Sequence, residues 1–320
     1  MKKVTACIVT YNREHDLLRC IEKVLEQSKK LDNIIIYDNA SSDDTIKSLS
    51  LKYNHQFKKS NELNLLANVD GTDVWVFSAL INSGGAGGFH ESVKLANEKL
   101  DTDYYWLMDD DGYPDKNCLN SLYEFINNSH LNYVMPVSID IDNHKQLSWA
   151  TRMKNGQKTI CYQKLSESWG KVMDYITPFN GSLISQKCVD DVGYVNKDFF
   201  IWGDEYEHYW RCKEAGIFPV TLMNSVFYHP AMKLPLYSTF FNLFKVPYSE
   251  SELRMVCLAR NYTYIYKKHD NVLKIPAKLL IYSWFFLVTR KLDFKGLYLY
   301  LKSVSDGILN KFDRHFEYLK

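Results

Sequence analysis

The chain has 320 residues, of which 46% are hydrophobic and 24% charged, with a net charge of +1; this excludes a disordered chain and gives no reason to expect a nucleic-acid partner. Seven cysteines, odd in number and never in CxxC spacing, argue against a disulfide framework or a zinc site and point to a reducing compartment. The longest apolar run, Leu279 to Val288, is well short of the roughly 20 residues a spanning helix needs.

Val4–Thr10 reads as a strand, and no leader is expected ahead of it. Leu17, Leu18, Ile21, Val24 and Leu25 share one face of a helix over Glu14–Gln27. A second strand at Ile34–Tyr37 ends in Asp38-Asn39-Ala40, with Ser41 or Ser42 as cap of the next helix. Val74–Phe77 is a third strand; a glycine-rich turn at 84–88 precedes a helix over Phe89–Leu100, and a fourth strand at Tyr104–Met108 runs into Asp109-Asp110-Asp111. This alternation implies an α/β fold with a mostly parallel sheet, helices on both faces and a site at the carboxyl ends of the strands. Val134–Val137 is strand-like, Val189–Gly193 is a helix end, and Asp204–Ala215 is a helix closed by Gly216. Beyond Pro230 the pattern turns helical, over Glu252–Lys268, Ile275–Arg290 and Lys295–Leu309.

Charge divides the chain at the same place. Pro230–Lys320 carries 15 Lys and Arg against 7 Asp and Glu, while the first 229 residues carry 24 against 31. Two domains are expected, 1–231 and a basic, aromatic C-terminal region at 232–320. That tail suits an anionic membrane surface or a lipid diphosphate, although a solvated helical face has the same composition.

The Asp triplet is the strongest chemical signal. Strand alternation sends Asp109 and Asp111 to one side, where they can grip a hard divalent cation, although an acidic loop has the same composition. The segment Asn82-Ser83-Gly84-Gly85-Ala86-Gly87-Gly88-Phe89 lets backbone approach a ligand and offers helix-start amides to phosphate. It lacks the Lys-Ser/Thr of a P-loop, and no GxGxxG follows the first strand. Asp204-Glu205-Tyr206-Glu207 follows Trp202 at a helix start; a carboxylate there can take a hydroxyl proton and the indole can stack on a sugar, while acids also favour any first helical turn. His229 by itself is equally an ordinary structural histidine.

These residues together resemble the inverting family 2 glycosyltransferases, most closely the bacterial galactofuranosyltransferases, over residues 3–231, with an echo at Ala259-Arg260-Asn261. The resemblance implies a GT-A core followed by a C-terminal helical region. It assigns Thr10, Tyr11, Asn12, Arg13, Asp38 and Asn39 to nucleotide binding, with Asn82, Gly84, Gly85, Gly87, Gly88 and Asp110 on the donor. It places the metal, Mn2+ or Mg2+, on Asp109, Asp111 and His229, which falls 18 residues after Arg211. It makes Glu205 or its neighbour Asp204 the base, and sets at the acceptor Asn180 and Gly181, in the segment Pro178–Leu183, with Trp202 and Glu207 from the later segment. The implied reaction is transfer of galactofuranose from UDP-galactofuranose to a glycan or lipid-diphosphate-linked acceptor of a cell-surface polysaccharide. A cytoplasmic protein, peripheral on the inner membrane face, is expected. Rhamnosyl transfer from a dTDP-sugar is the enzymatic alternative; a nucleotidyltransferase and a non-catalytic glycan-binding protein are alternatives of other classes.

Overall fold

The computed structural model describes residues 2–54, 62–174, 179–231 and 234–319; Pro178 of the expected acceptor segment lies outside them. Two compact units are present: Met1–Val195 with Arg211–Met232, and Asn196–Trp210 with Lys233–Lys320.

The first unit opens with β1 (Val4–Thr10), buried throughout, and α1 (Glu14–Leu25), which buries Leu17, Cys20, Ile21 and Val24. Then come β2 (Asn33–Asp38), α2 (Thr45–Lys52), β3 (Asn64–Val69), β4 (Thr72–Ser78) and α3 (Gly84–Lys99). β5 (Tyr104–Asp109), β6 (Tyr113–Pro114), α4 (Cys118–Asn128) and β7 (Tyr133–Asp140) follow. β8 (Gln146–Arg152), β9 (Lys158–Cys161), α5 (Tyr162–Trp169), β10 (Val172–Met173), β11 (Ser182–Ser185) and α6 (Gln186–Val192) come next. α7 (Asp204–Glu214), whose residues are shared between the two units, precedes β12 (Val220–His229).

The main sheet has the order β10-β12-β7-β11-β5-β1-β2-β4-β3. β1 pairs parallel with β2 and β5, β2 with β4, and β7 with β12. β11 is antiparallel to both β5 and β7, so those two also point the same way. Thr10, Asp38, Asp109 and His229 therefore all lie at carboxyl ends along one edge of the sheet, the edge where open α/β sheets bind ligands.

Two local expectations need correction. No hydroxyl of Ser41 or Ser42 caps α2: Asp44 is the cap residue, and Asp43 accepts from the Thr45 amide at 3.1 Å. The helix expected from Phe89 starts at Gly84, so the glycines form its first turns. A Cβ on Gly88 would lie 2.4 Å from Val9 Cγ1; α3 approaches β1 too closely there for any side chain.

The second unit begins with a 3-10 turn at Lys197–Phe199. Its remainder was expected to be helical, yet it holds a hairpin, β13 (Leu236–Thr239) with β14 (Phe244–Pro247). Four-residue strands are too short for alternation to reveal. α8 (Glu252–Lys268), α9 (Lys274–Trp284) and α10 (Phe294–Leu309) follow. The helix expected over Ile275–Arg290 passes into a π segment at Phe285–Thr289, whose wider turn brings the adjacent Phe285 and Phe286 both into the core. Tyr282 stacks on Tyr300 with centroids 4.3 Å apart. At Gly307 an added Cβ would lie 2.4 Å from the Arg260 carbonyl, which measures how tightly α10 meets α8. No described helix is long and apolar enough to cross a membrane.

Candidate active site

The turn after β1 is built by Asn12, in left-handed conformation at φ 52°. Its side-chain oxygen accepts from the Ser42 amide at 2.7 Å, and its own amide donates to Ser41 Oγ at 2.9 Å. Asp38, fully buried, accepts from the Ser41 amide at 2.9 Å and from Ser78 Oγ at 2.6 Å. Asn39 accepts from the Ser83 amide at 2.9 Å and donates to the Gly84 carbonyl at 2.8 Å, tying β2 to the start of α3. These three polar residues are held in framework bonds. Tyr11, 43% exposed, Asn12 and Arg13 all offer surface to a ligand. At Gly85 an added Cβ would meet only open space, so the start of α3 is approachable there.

Asp110 is buried, accepting from Thr10 Oγ1 at 2.6 Å and from Arg13 Nη1 at 2.9 Å. Burial pushes its carboxyl up to about 6, against the opposing pull of Arg13 and Thr10. The same Arg13 nitrogen lies 2.8 Å from Asp111 Oδ2. Asp109 is raised well above the usual carboxylate range, by burial first and then by the charges of Asp111 and Asp110. Burial also acts to raise Asp111, but its contacts with His229 and Arg13 outweigh it and hold the carboxyl below its ordinary value.

His229, at the end of β12, places Nε2 3.3 Å from Asp111 Oδ1, while Nδ1 donates to the Pro230 carbonyl at 2.7 Å. The indole of Trp149 meets the imidazole edge-on at 5.7 Å, a neighbour that sequence reasoning missed. Asp111 Oδ1 is otherwise a buried oxygen without an aligned hydrogen bond. A carboxylate oxygen left unsatisfied opposite a ring nitrogen, with the other ring nitrogen fixed on a carbonyl, suits a divalent cation. Asp111 and His229 are thus brought together, with the Asp109 charge close enough to raise the proton affinity of the imidazole. Among the described residues, no three His, Cys, Asp or Glu side chains converge as a finished cage. Arg13 occupies part of that space.

β11 brings the next pair of polar groups. Ser182 pairs with Leu107 of β5, and Asn180 stands two positions beyond, on the Asp109 side. The buried Asn180 Oδ1 and Ser182 Oγ have no hydrogen-bond partner among the described residues. Gly181, at φ +80°, is fixed by its amide on the Leu107 carbonyl and by Trp106 Nε1 on its own carbonyl, both at 2.9 Å.

In the second unit, Trp202 and Gly203 have φ of 63° and 89° immediately before α7. Asn261 Nδ2 donates to the carbonyls of Phe199, Ile201 and Trp202 at 2.9, 3.0 and 2.8 Å. Arg260, fully buried, donates to the Phe199 and Phe312 carbonyls at 2.9 and 2.8 Å. This clamp defines the turn that launches Asp204 and Glu205, and only the echo at Ala259-Arg260-Asn261 signalled it. Asp204 is buried and Glu205 half-buried. Glu207, expected at the acceptor, is instead interior, with its carboxylate 3.7 Å from His269 Nε2. Trp202 is half-buried beneath the Arg254 guanidinium at 5.8 Å.

A mostly parallel sheet with an acidic triplet and a glycine-started helix at its carboxyl edge defines a glycosyltransferase of the GT-A fold. Solved structures agree on the fold: S. aureus TarS 1-349 superposes with a TM-score of 0.55 at 14% identity, over 98% of this chain and 83% of that one. GalNAc-T7, solved with UDP, GalNAc and Mn2+, gives 0.55 at 13%, over 83% and 50%. The chain belongs to glycosyl transferase family 2, whose profile matches residues 5–192. Over nearly its whole length it is similar to galactofuranosyltransferase GlfT1 of Mycolicibacterium smegmatis, 26% identical across 97% of this chain and 98% of that protein. The Mycobacterium tuberculosis GlfT1 is 25% identical across 98% of each.

Proposed function

We propose that the enzyme transfers galactofuranose from UDP-galactofuranose, with inversion, to a glycan or lipid-diphosphate-linked acceptor of a surface polysaccharide. The observation that carries this is the similarity to the two mycobacterial galactofuranosyltransferases along the whole chain, through both units and not the family 2 core alone. Tyr11 offers a ring face to the base, the first amides of α3 face the diphosphate, and Arg13 supplies a second positive group. Asp111 and His229, with Asp109, would hold Mn2+ or Mg2+, which would supply Lewis-acid charge to the diphosphate leaving group. Glu205, or Asp204 beside it, takes the proton of the acceptor hydroxyl as its oxygen bonds the anomeric carbon. The bond from that carbon to the diphosphate oxygen breaks on the opposite face, and UDP leaves. Asn180 and Ser182 hydrogen-bond the sugar or acceptor hydroxyls. The protein works in the cytoplasm, at the inner face of the membrane, where a lipid-linked acceptor is carried.

The test is release of nucleoside diphosphate from UDP-galactofuranose, UDP-galactopyranose and dTDP-rhamnose. UDP release from the furanose donor alone is expected; turnover of either other donor in its place overturns the assignment. Pyrophosphate release would mark a nucleotidyltransferase, and binding without turnover a lectin-like protein.

A further inference from the structure

The second unit carries an apolar ridge that none of its described residues covers. Along α9 and the π segment, Leu273, Leu280 and Val288 are 70, 62 and 52% exposed, and Trp284 lies between them on the same face. The spacing places all four within a narrow arc opposite the buried Ile275 and Tyr282. The hairpin extends this face. Phe240, Phe241 and Asn242 take three successive left-handed conformations, at φ 51, 57 and 64°, a costly backbone for aromatic residues. That turn projects Phe241 and Leu243, 78 and 71% exposed. Phe240 and Phe241 pack on Trp284 with centroids at 4.9 and 5.2 Å, and Thr239 bonds Thr289 at 2.9 Å, so hairpin tip and helix form one surface.

Its charge has one sign. Between Asn271 and Leu292 there are four Lys or Arg and no carboxylate, and the hairpin itself adds only Lys245. Lys274 is engaged by Asp270, and Arg290 by Glu250 and Asp293. Lys245 follows the exposed Phe244 and Lys291 follows the π segment, both exposed, while Lys278 on the flank of α9 is half-buried and driven below its ordinary value by burial and by Lys274. Aromatic and aliphatic side chains flanked by snorkelling lysines match the boundary between acyl chains and anionic headgroups. A second copy of the chain matches less well, because a two-fold contact would set lysine against lysine.

We propose that this ridge is the membrane-inserting device: the 240–244 hairpin tip and the Leu273–Val288 stripe enter an anionic leaflet to about the headgroup–acyl boundary, roughly 5–10 Å, with Lys245, Lys278 and Lys291 on the phosphates. It rests on the reading that the enzyme works at a membrane surface. The test is sedimentation of the full-length protein with phosphatidylcholine vesicles, with and without phosphatidylglycerol. Wild type should bind the anionic vesicles, and Phe241→Asp with Leu280→Asp should lose at least about tenfold in partitioning, at unchanged circular dichroism. Lys245→Glu with Lys291→Glu should lose only the phosphatidylglycerol-dependent part. Brominated-lipid quenching of tryptophan fluorescence, stronger in wild type than in Trp284→Phe, tests the same point should the aspartates disturb folding. Wild-type binding that neither variant pair nor Trp284→Phe alters overturns the device and leaves the surface reading standing. Failure of wild type to bind either vesicle sinks both. A wild-type dimer that Phe241→Asp dissociates in light scattering assigns the ridge to a second copy and overturns the proposal.

Discussion

The Arg13 guanidinium stands 2.8 Å from the Asp111 carboxylate, on the residue that faces His229 from its other oxygen. One side chain thus pairs with two members of the acidic triplet and competes for the Asp111 carboxylate with a cation on its other oxygen. Arg13→Ala is expected to tighten Mn2+ binding without nucleotide by about threefold to tenfold, a modest factor because the guanidinium is half-exposed. UDP affinity with the metal present should fall, since a positive group facing the diphosphate is lost. Isothermal titration reads both; weaker Mn2+ binding by the variant would show that Arg13 organises the carboxylates instead of competing for them.

Glu205→Gln should leave UDP affinity intact while kcat falls about 10²–10⁴-fold, the usual contribution of a general base. Asp204→Asn should cost less, because Asp204 is buried where Glu205 is half-exposed. The reverse ranking would move the base by one residue, and normal turnover in both would remove it from this helix start.

Asn261 donates to three successive turn carbonyls from one buried amide. Asn261→Leu strands those acceptors and is expected to cost on the order of 2–4 kcal/mol in urea unfolding. Because the turn launches α7, kcat should drop more than KM changes. Equal losses in both constants, or none, would make the clamp structural only.

His315 stacks on Phe200 at 4.6 Å and its ring takes a hydrogen bond from Arg260 at 3.0 Å. Burial, followed by the Arg260 charge, lowers it from 6.5 to about 4. In the unfolded chain the ring keeps its ordinary affinity, so that state binds more protons as the pH drops below 6.5. Stability from this group is therefore full above pH 6.5 and is lost as the pH falls towards 4. The melting temperature should fall between pH 7 and pH 5, and the fall should shrink in His315→Phe. An identical pH profile in wild type and variant would exclude the group.

Gly88→Ala forces a methyl against Val9 Cγ1 at 2.4 Å, so the valine or the start of α3 must shift. A loss of about 1–3 kcal/mol in stability is expected, and UDP affinity should weaken as the start of α3 shifts. Gly85→Ala, facing open space, is the matched control and should melt like wild type.

Sequence alone determined the strand–helix alternation, the direction of the parallel strands and the chemistry at their ends. Val4–Thr10, the Asp109–Asp111 triplet and the glycines at 84–88 each carry a local signal, since period, charge and missing side chains are visible without neighbours. Asp38 and Asn39 are legible as polar groups at a strand end, and only tertiary structure shows their hydrogen bonds with Ser78, Ser41 and Ser83. Glu207 looked like an acceptor contact and proves to be interior beside His269, 62 positions away in the chain. The Arg260–Asn261 clamp and the Phe241–Trp284 ridge likewise join segments about 40 to 60 residues apart, beyond the reach of any helical or strand period. Local pattern fixes which groups a chain offers, and packing between distant segments decides which of them remain free to meet a ligand.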